Sequence, residues 1–339
     1  MTRTPVLIDR AKSTHVGAFA ARKSGYLGAI VVLIGFFIIY AVVSPIGLTP
    51  YGVASQVNAG ASIALAAAGV AIVVMAGGFD LSVGAIAALV NVVVATQMTD
   101  EPSSMVLVTL LALAVGTTAG LVNGLFVSFT RLPSVIVTLA TSFVWGGVAL
   151  LVLSSPGGSV PFAFADLMTG NTLAGLPNAL LLLIIVAVGW VLLGRTALRV
   201  HILAVGGDRE AARANGVPLR RAEVAAFALA GFCYGLAGLF LSALTVSGTP
   251  NLGAEFTLNA FAAVVVGGTP FGGGRGTPIS GLIGAFVLFL SYSILFALGA
   301  PTQLNYILTG AILVVAVIVQ NPRRLLFERR LEPISGAGG

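Results

Sequence analysis

The residue types that ordinarily do covalent chemistry are nearly absent. The two histidines, His15 and His201, and the single cysteine, Cys233, do not group with carboxylates at metal-ligand spacing. No serine is placed with a histidine and an aspartate for nucleophilic attack. Lys23-Ser24, preceded by Gly17, has the outline of a phosphate loop, but Arg22 stands where the second glycine is needed, and no strand precedes it. An enzyme is not expected, nor a metal or cofactor on this chain. What remains are uncharged polar side chains inside apolar stretches: Asn58, Asn91, Asn123, Thr138, Thr141 and Asn259. They offer donors and acceptors to a neutral polar solute. The competing reading is hydrogen bonding between helices, worth about 0.6 kcal/mol on average. Phe79 and Phe261 are candidates for apolar constrictions on a solute path, or for plain packing. Asp80 is a carboxylate near an apolar run, costly unless it meets water, a partner or a helix N-terminus. It either caps the helix that follows or makes a gating contact, with Arg275 the candidate partner.

The elements that hold these residues must face hydrocarbon. Of 339 residues, 58% are hydrophobic and 8% charged, against roughly 25% charged in a soluble domain. The mean hydropathy is +1.06. A span needs about 20 mainly apolar residues. Cutting the charge-free runs at Gly, Pro and polar clusters gives ten expected spans, at 26–43, 55–77, 81–98, 105–129, 134–154, 177–193, 223–246, 257–269, 278–298 and 303–320. The reading is an all-α, polytopic membrane protein. Residues 1–25 form a cytoplasmic segment, 26–320 one transmembrane domain with a cytoplasmic loop at 194–222, and 321–339 a cytoplasmic tail.

With the N-terminus inside, all 17 basic residues fall in the expected cytoplasmic segments, while Asp100, Glu101, Asp166 and Glu255 lie in the outer loops. Lys and Arg are retained on the cytoplasmic side, so this asymmetry sets the orientation. The basic residues are dispersed at span ends rather than gathered in a patch, which excludes nucleic acid as the partner. The first apolar run has no small-residue cleavage site behind it and reads as a signal anchor. Six spans precede the long loop and four follow it. Spans two to five and seven to ten therefore enter from opposite sides, the geometry of an inverted repeat. Gly116-x-x-x-Gly120-x-x-x-Gly124 and Gly231-x-x-x-Gly235 each line one helix face and read as packing grooves.

The long loop contains Gly206-Gly207-Asp208-Arg209-Glu210-Ala211-Ala212-Arg213-Ala214-Asn215-Gly216-Val217-Pro218. Asp208 suits an N-cap, Gly216 the residue just past a helix end, and Pro218 a stop. The two-turn helix between them is too short to stand alone in water. It either docks on a surface or is a solvated connector.

This stretch resembles the cytoplasmic loop of permease subunits of bacterial ABC importers for monosaccharides (ribose, xylose and galactose type), related to branched-chain amino-acid permeases. Three further stretches resemble that family in matching order: Gly77-Gly78-Phe79-Asp80-Leu81-Ser82-Val83-Gly84, then Asn123-Gly124 with Leu132-Pro133-Ser134-Val135-Ile136-Val137-Thr138-Leu139, then Val266-Gly267-Gly268-Thr269 with Gly272-Gly273-Gly274-Arg275-Gly276-Thr277. The resemblance runs over most of residues 50–320. Phe79 departs from the usual Ile, and Ser134-Val135 from Pro-Phe. The resemblance implies that Gly206, Gly207, Asp208, Glu210, Ala211, Ala212, Arg213 and Gly216 form a coupling helix on an ATP-binding subunit that carries the ATP and Mg. It implies a periplasmic solute-binding protein, a second permease subunit (identical or a paralogue), and a multi-pass place in the bacterial cytoplasmic (inner) membrane. The function implied is inward movement of a pentose or hexose. The alternatives are an ion-coupled secondary transporter, which usually needs an ionisable residue within the spans, and an ABC permease for a non-sugar solute such as a branched-chain amino acid.

Overall fold

A computed structural model describes residues 27–320, apart from 131, 173, 174 and 302. The expected segments 1–25 and 321–339, and Arg131, lie outside the described residues. The chain forms α1 (Leu27–Val43), α2 (Pro50–Met75), α3 (Val83–Gln97), α4 (Pro102–Thr130), α5 (Ser134–Val152), α6 (Phe162–Thr169), α7 (Asn178–Leu193), α8 (Ala197–Gly207), α9 (Arg209–Ala214), α10 (Leu219–Thr245), α11 (Gly253–Val266), α12 (Pro278–Ala297) and α13 (Gln303–Gln320). Among the described residues the only extended pairings are two isolated bridges, Gly157 with Gly248 and Asn171 with Pro177.

Proline and short polar residues punctuate these helices. Pro50 and Pro278 open α2 and α12 behind Thr49 and Thr277, whose hydroxyls accept from Gly52 N and Ile279 N. Proline is tolerated at a first turn because its missing N–H has no partner there. Helices α1–α5, α7 and α10–α13 overlap the ten stretches expected as spans, with α2, α10 and α11 starting several residues earlier than the hydropathy suggests. α2, α4, α5, α10 and α12 are each long and apolar enough to cross a membrane. The protein is an all-α, multi-pass membrane protein.

Burial follows position. The apolar windows of α2 and α10 are 78% and 67% buried, those of α4 and α5 only 28% and 17%. α2 is built largely from Ala, Gly and Val, so other helices approach it on all sides. α10 meets α4 across glycines: a methyl on Gly120 would stand 2.3 Å from the Phe227 carbonyl oxygen, and one on Gly231 would stand 2.3 Å from that of Gly116. The pairing has internal order. α10 packs on α4 and α3, and α2 packs on α12 and α11; α3 touches α4 and α5, and α11 touches α12 and α13. Exchanging α2 with α10, α3 with α11, α4 with α12 and α5 with α13 maps this pattern onto itself. The short members correspond too. α3 has 15 residues and α11 has 14, so each rises only about 21–23 Å against a hydrocarbon core of about 30 Å.

Candidate functional site

α7 and α8 meet at a bend of 84°. α8 was not expected: it is too short and too charged at its start to read as a span, yet it buries Ile202 and Val205 on one face. It delivers the chain to α9. Asp208 Oδ1 accepts from Glu210 N at 3.0 Å and from Ala211 N at 2.9 Å, a side-chain N-cap. At the other end Gly216 has φ +74°, Gly216 N donates to Arg213 O at 3.1 Å, and Val217 N donates to Ala212 O at 3.0 Å. Those two bonds make a Schellman ending, which needs a residue free to adopt positive φ. Arg209 forms an ion pair with Glu223 of α10, whose side chain is 7% exposed while that of Arg209 is 56% exposed. Ala212 is buried against the bundle, and Glu210, Ala211 and Arg213 are exposed. Of the two readings of this segment, the docked helix is the one observed. Beside it opens a cleft of about 1120 Å³ that Asp208, Arg209, Arg213, Arg220 and Arg221 line together with the ends of α4 and α5. Arg220 lies over the Phe129 ring, 4.6 Å from its centroid.

The turn between α2 and α3 reaches the same end of the bundle. Asp80 is fully buried. Its Oδ1 accepts from Ser82 N at 2.9 Å and from Ser82 Oγ at 2.5 Å. Asn123 Nδ2 donates to Ser82 Oγ at 2.7 Å, and Trp145 Nε1 donates to Asn123 Oδ1 at 3.2 Å, which extends the chain of bonds across α4 to α5. Asp80 thus holds the backbone just before α3, close to the capping reading. Ser82 is the residue at the cap position itself. Arg275 is exposed and makes no ion pair among the described residues, so of the two readings of Asp80 the alternative contact with Arg275 is not formed here. α5 pins the turn from outside. Phe79 N donates to Ser134 Oγ at 2.9 Å, Leu81 N donates to Thr138 Oγ1 at 3.0 Å, and Thr138 Oγ1 reaches Phe79 O at 3.3 Å. Two of the three positions that depart from the family pattern, Phe79 and Ser134, are therefore joined, through the backbone N–H of Phe79.

Most of the other polar candidates are engaged within the bundle. Asn91 donates to Ser242 Oγ at 2.8 Å and to Ser247 O at 3.1 Å, and accepts from Thr249 N at 2.5 Å, tying α3 to the end of α10. Thr141 donates to Thr138 O at 3.3 Å. Asn58 differs: Nδ2 donates to Thr169 O at 2.6 Å, but its buried Oδ1 has no hydrogen-bond partner among the described residues. Asn259 is half-buried on α11. Phe79 and Phe261, far apart in sequence, stack at a centroid distance of 6.0 Å. Phe271, which sequence reasoning passed over, completes the cluster at 5.4 Å from Phe79 and 6.3 Å from Phe261. Its signal was visible as a lone aromatic inside the glycine-rich turn after α11.

Residues 52–317 match the family described as branched-chain amino acid transport system / permease component. The ribose import permease protein RbsC of Bacillus subtilis is 30% identical over 325 residues, covering 95% of this chain and 99% of the relative. RbsC of Haemophilus influenzae is 29% identical over 319 residues, covering 92% and 97%. The galactofuranose transporter permease protein YtfT of Escherichia coli K12 is 32% identical over 270 residues, 78% of each chain. No solved structure matches the chain significantly. A multi-pass helical bundle with a capped, exposed helix between α8 and α10, matched over this length, places the chain in the bacterial inner membrane as a member of the branched-chain amino acid transport system permease component family.

Proposed function

We propose that this chain is the permease subunit of an ATP-driven importer that carries a small sugar, a pentose or a hexose, into the bacterial cytoplasm. The observation that carries the reading is α9: a six-residue helix fastened at both ends, docked through Ala212, with the rest of its surface outward. A helix this short needs such fastening to persist, and Glu210, Ala211 and Arg213 stand exposed on its outer side. That is the form of a lever offered to another protein. The basic residues put it on the cytoplasmic side. Having no nucleotide site, the chain borrows its driving force from an ATP-binding subunit, and the arginines beside α9 fit an acidic surface there. A secreted solute-binding protein delivers the sugar from outside, and a second permease subunit completes the membrane unit.

The relatives named for ribose and galactofuranose support the substrate class. The self-matching pattern of helix contacts supports an inverted repeat, in which paired short segments such as α3 and α11 point to the solute path. Asn58 and Asn259, on α2 and α11, retain polar atoms for sugar hydroxyls. The test is Ala212→Pro. It removes the Ala212 N–H bond to Asp208 O and clashes with the preceding turn. Sugar-stimulated ATP hydrolysis should fall to the basal rate while membrane insertion is unchanged. Normal stimulation in this variant would refute the assignment.

A further inference from the structure

α9 is joined to the bundle through backbone that touches backbone. α8 ends at Gly207, Asp208 follows, and α9 begins at Arg209. A methyl on Gly206 would stand 2.0 Å from the Met75 carbonyl oxygen and 2.7 Å from the Gly274 nitrogen. One on Gly273 would meet the Gly206 oxygen at 2.5 Å and Gly77 Cα at 2.9 Å, and one on Gly274 would meet Gly207 Cα at 2.4 Å. The Gly274 amide also donates to Met75 O at 2.9 Å, closing the turn after α11 onto the end of α2. No side chain separates the three pieces, so no rotamer change can absorb a displacement of one against another. Close-packed contacts transmit strain. Each turn carries a phenylalanine two residues from the contact: Phe79 follows Gly77, and Phe271 precedes Gly273. Those two rings meet each other and Phe261.

We propose that Phe79, Phe261 and Phe271 form the inner gate of the solute path, and that the contact of Gly77, Gly206, Gly273 and Gly274 is the transmission that parts these rings when α9 moves. The proposal rests on the reading of α9 as a lever. Three apolar rings bar a hydroxyl-bearing solute by offering it no hydrogen bonds. Phe79 and Phe271 sit on the turns that the glycine contact moves, whereas Phe261 sits on α11, so the displacement changes the spacing of the rings. The distances also make the transmission selective. Gly207 has only an ordinary contact, at 3.6 Å, and Gly272 has nothing within 4 Å, so alanine fits at those two positions and not at Gly206.

The experiment uses the full chain carrying Cys233→Ala, Phe79→Cys and Phe261→Cys, one on a moving turn and one on α11, assembled with its ATP-binding subunit in lipid nanodiscs. Disulfide formation between the two introduced thiols is read by peptide mass spectrometry, without nucleotide and with ATP plus vanadate. The nucleotide should change the disulfide yield by at least about fivefold, the lower end of usual coupling between sites. Adding Gly206→Ala should abolish that dependence, and adding Gly207→Ala should preserve it. If the complex hydrolyses ATP but the yield ignores nucleotide, or responds equally in both alanine variants, the transmission is wrong while the lever reading stands. If no complex with an ATP-binding subunit forms, both fall. Where Gly206→Ala fails to assemble, the nucleotide dependence in the chain with Gly206 intact decides.

Discussion

Replacing Asp208 separates two roles that its carboxylate could have. In the structure it is a cap: Oδ1 accepts from Glu210 N at 3.0 Å and Ala211 N at 2.9 Å. Loss of such a cap costs typically about 1 kcal/mol. Since 1.4 kcal/mol is a factor of ten, that amounts to roughly a fivefold fall in the ratio of formed to unformed helix. A helix of six residues has little reserve, because its nucleation is unfavourable and few bonds repay it. With formed and unformed helix near even balance in the parent, Asp208→Ala should therefore cut stimulation of ATP hydrolysis by sugar-loaded binding protein about threefold in the reconstituted complex, the formed helix being the competent one. Asp208→Asn keeps an acceptor oxygen, and Asn caps about as well as Asp. It forfeits only the interaction of a negative charge with the helix dipole, about 0.3–1 kcal/mol at an exposed site. Asn should stay close to the parent protein. If Asn is as damaging as Ala, the carboxylate contacts a partner directly and the capping argument is wrong. If both are silent, α9 is not the lever.

Asn91→Ala strands Thr249 N and removes two further bonds. It should cost about 1–3 kcal/mol, seen as a lower thermal midpoint in detergent with sugar selectivity unchanged; altered selectivity would instead put Asn91 on the solute path. Gly120→Ala forces a methyl against the Phe227 carbonyl and should cost about 1–3 kcal/mol by overpacking, whereas Gly146→Ala, with nothing within 4 Å of its added methyl, should leave the midpoint where it was. Arg209→Ala leaves the Glu223 carboxylate buried without its partner and should lower the midpoint more than Glu223→Gln does; equal effects would mean the pair contributes only at the surface. Asp80→Asn retains the acceptor for both Ser82 bonds, so assembly should persist, and a chain that fails to accumulate would show that the charge itself is required.

The helices were legible because hydrocarbon demands long apolar runs, and because prolines and short polar residues mark where the runs begin. α6 and α8 were not, since helices of 8 and 11 residues leave no hydropathy signal of their own. The fastening of α9 could be read directly: Asp208, Gly216 and Pro218 are local rules acting over a few residues. The polar residues within the spans show where such reading ends. Asn91 and Thr138 look alike in sequence, as small polar groups in apolar runs. Their partners Thr249 and Leu81 lie 158 and 57 positions away, and only the packed helices bring them together. The same holds for Phe79 and Phe261. Each was visible as a candidate constriction, but their meeting with Phe271 depends on two turns converging at glycines far apart in the chain.

The central claim is that α9 is the surface through which another protein drives this bundle. A photo-crosslinking residue placed at the exposed Glu210 of the full chain, in cells that also express the ATP-binding subunit and the solute-binding protein, tests it directly. The account predicts a cross-link to the ATP-binding subunit. A cross-link to the solute-binding protein, or to lipid alone, would contradict it.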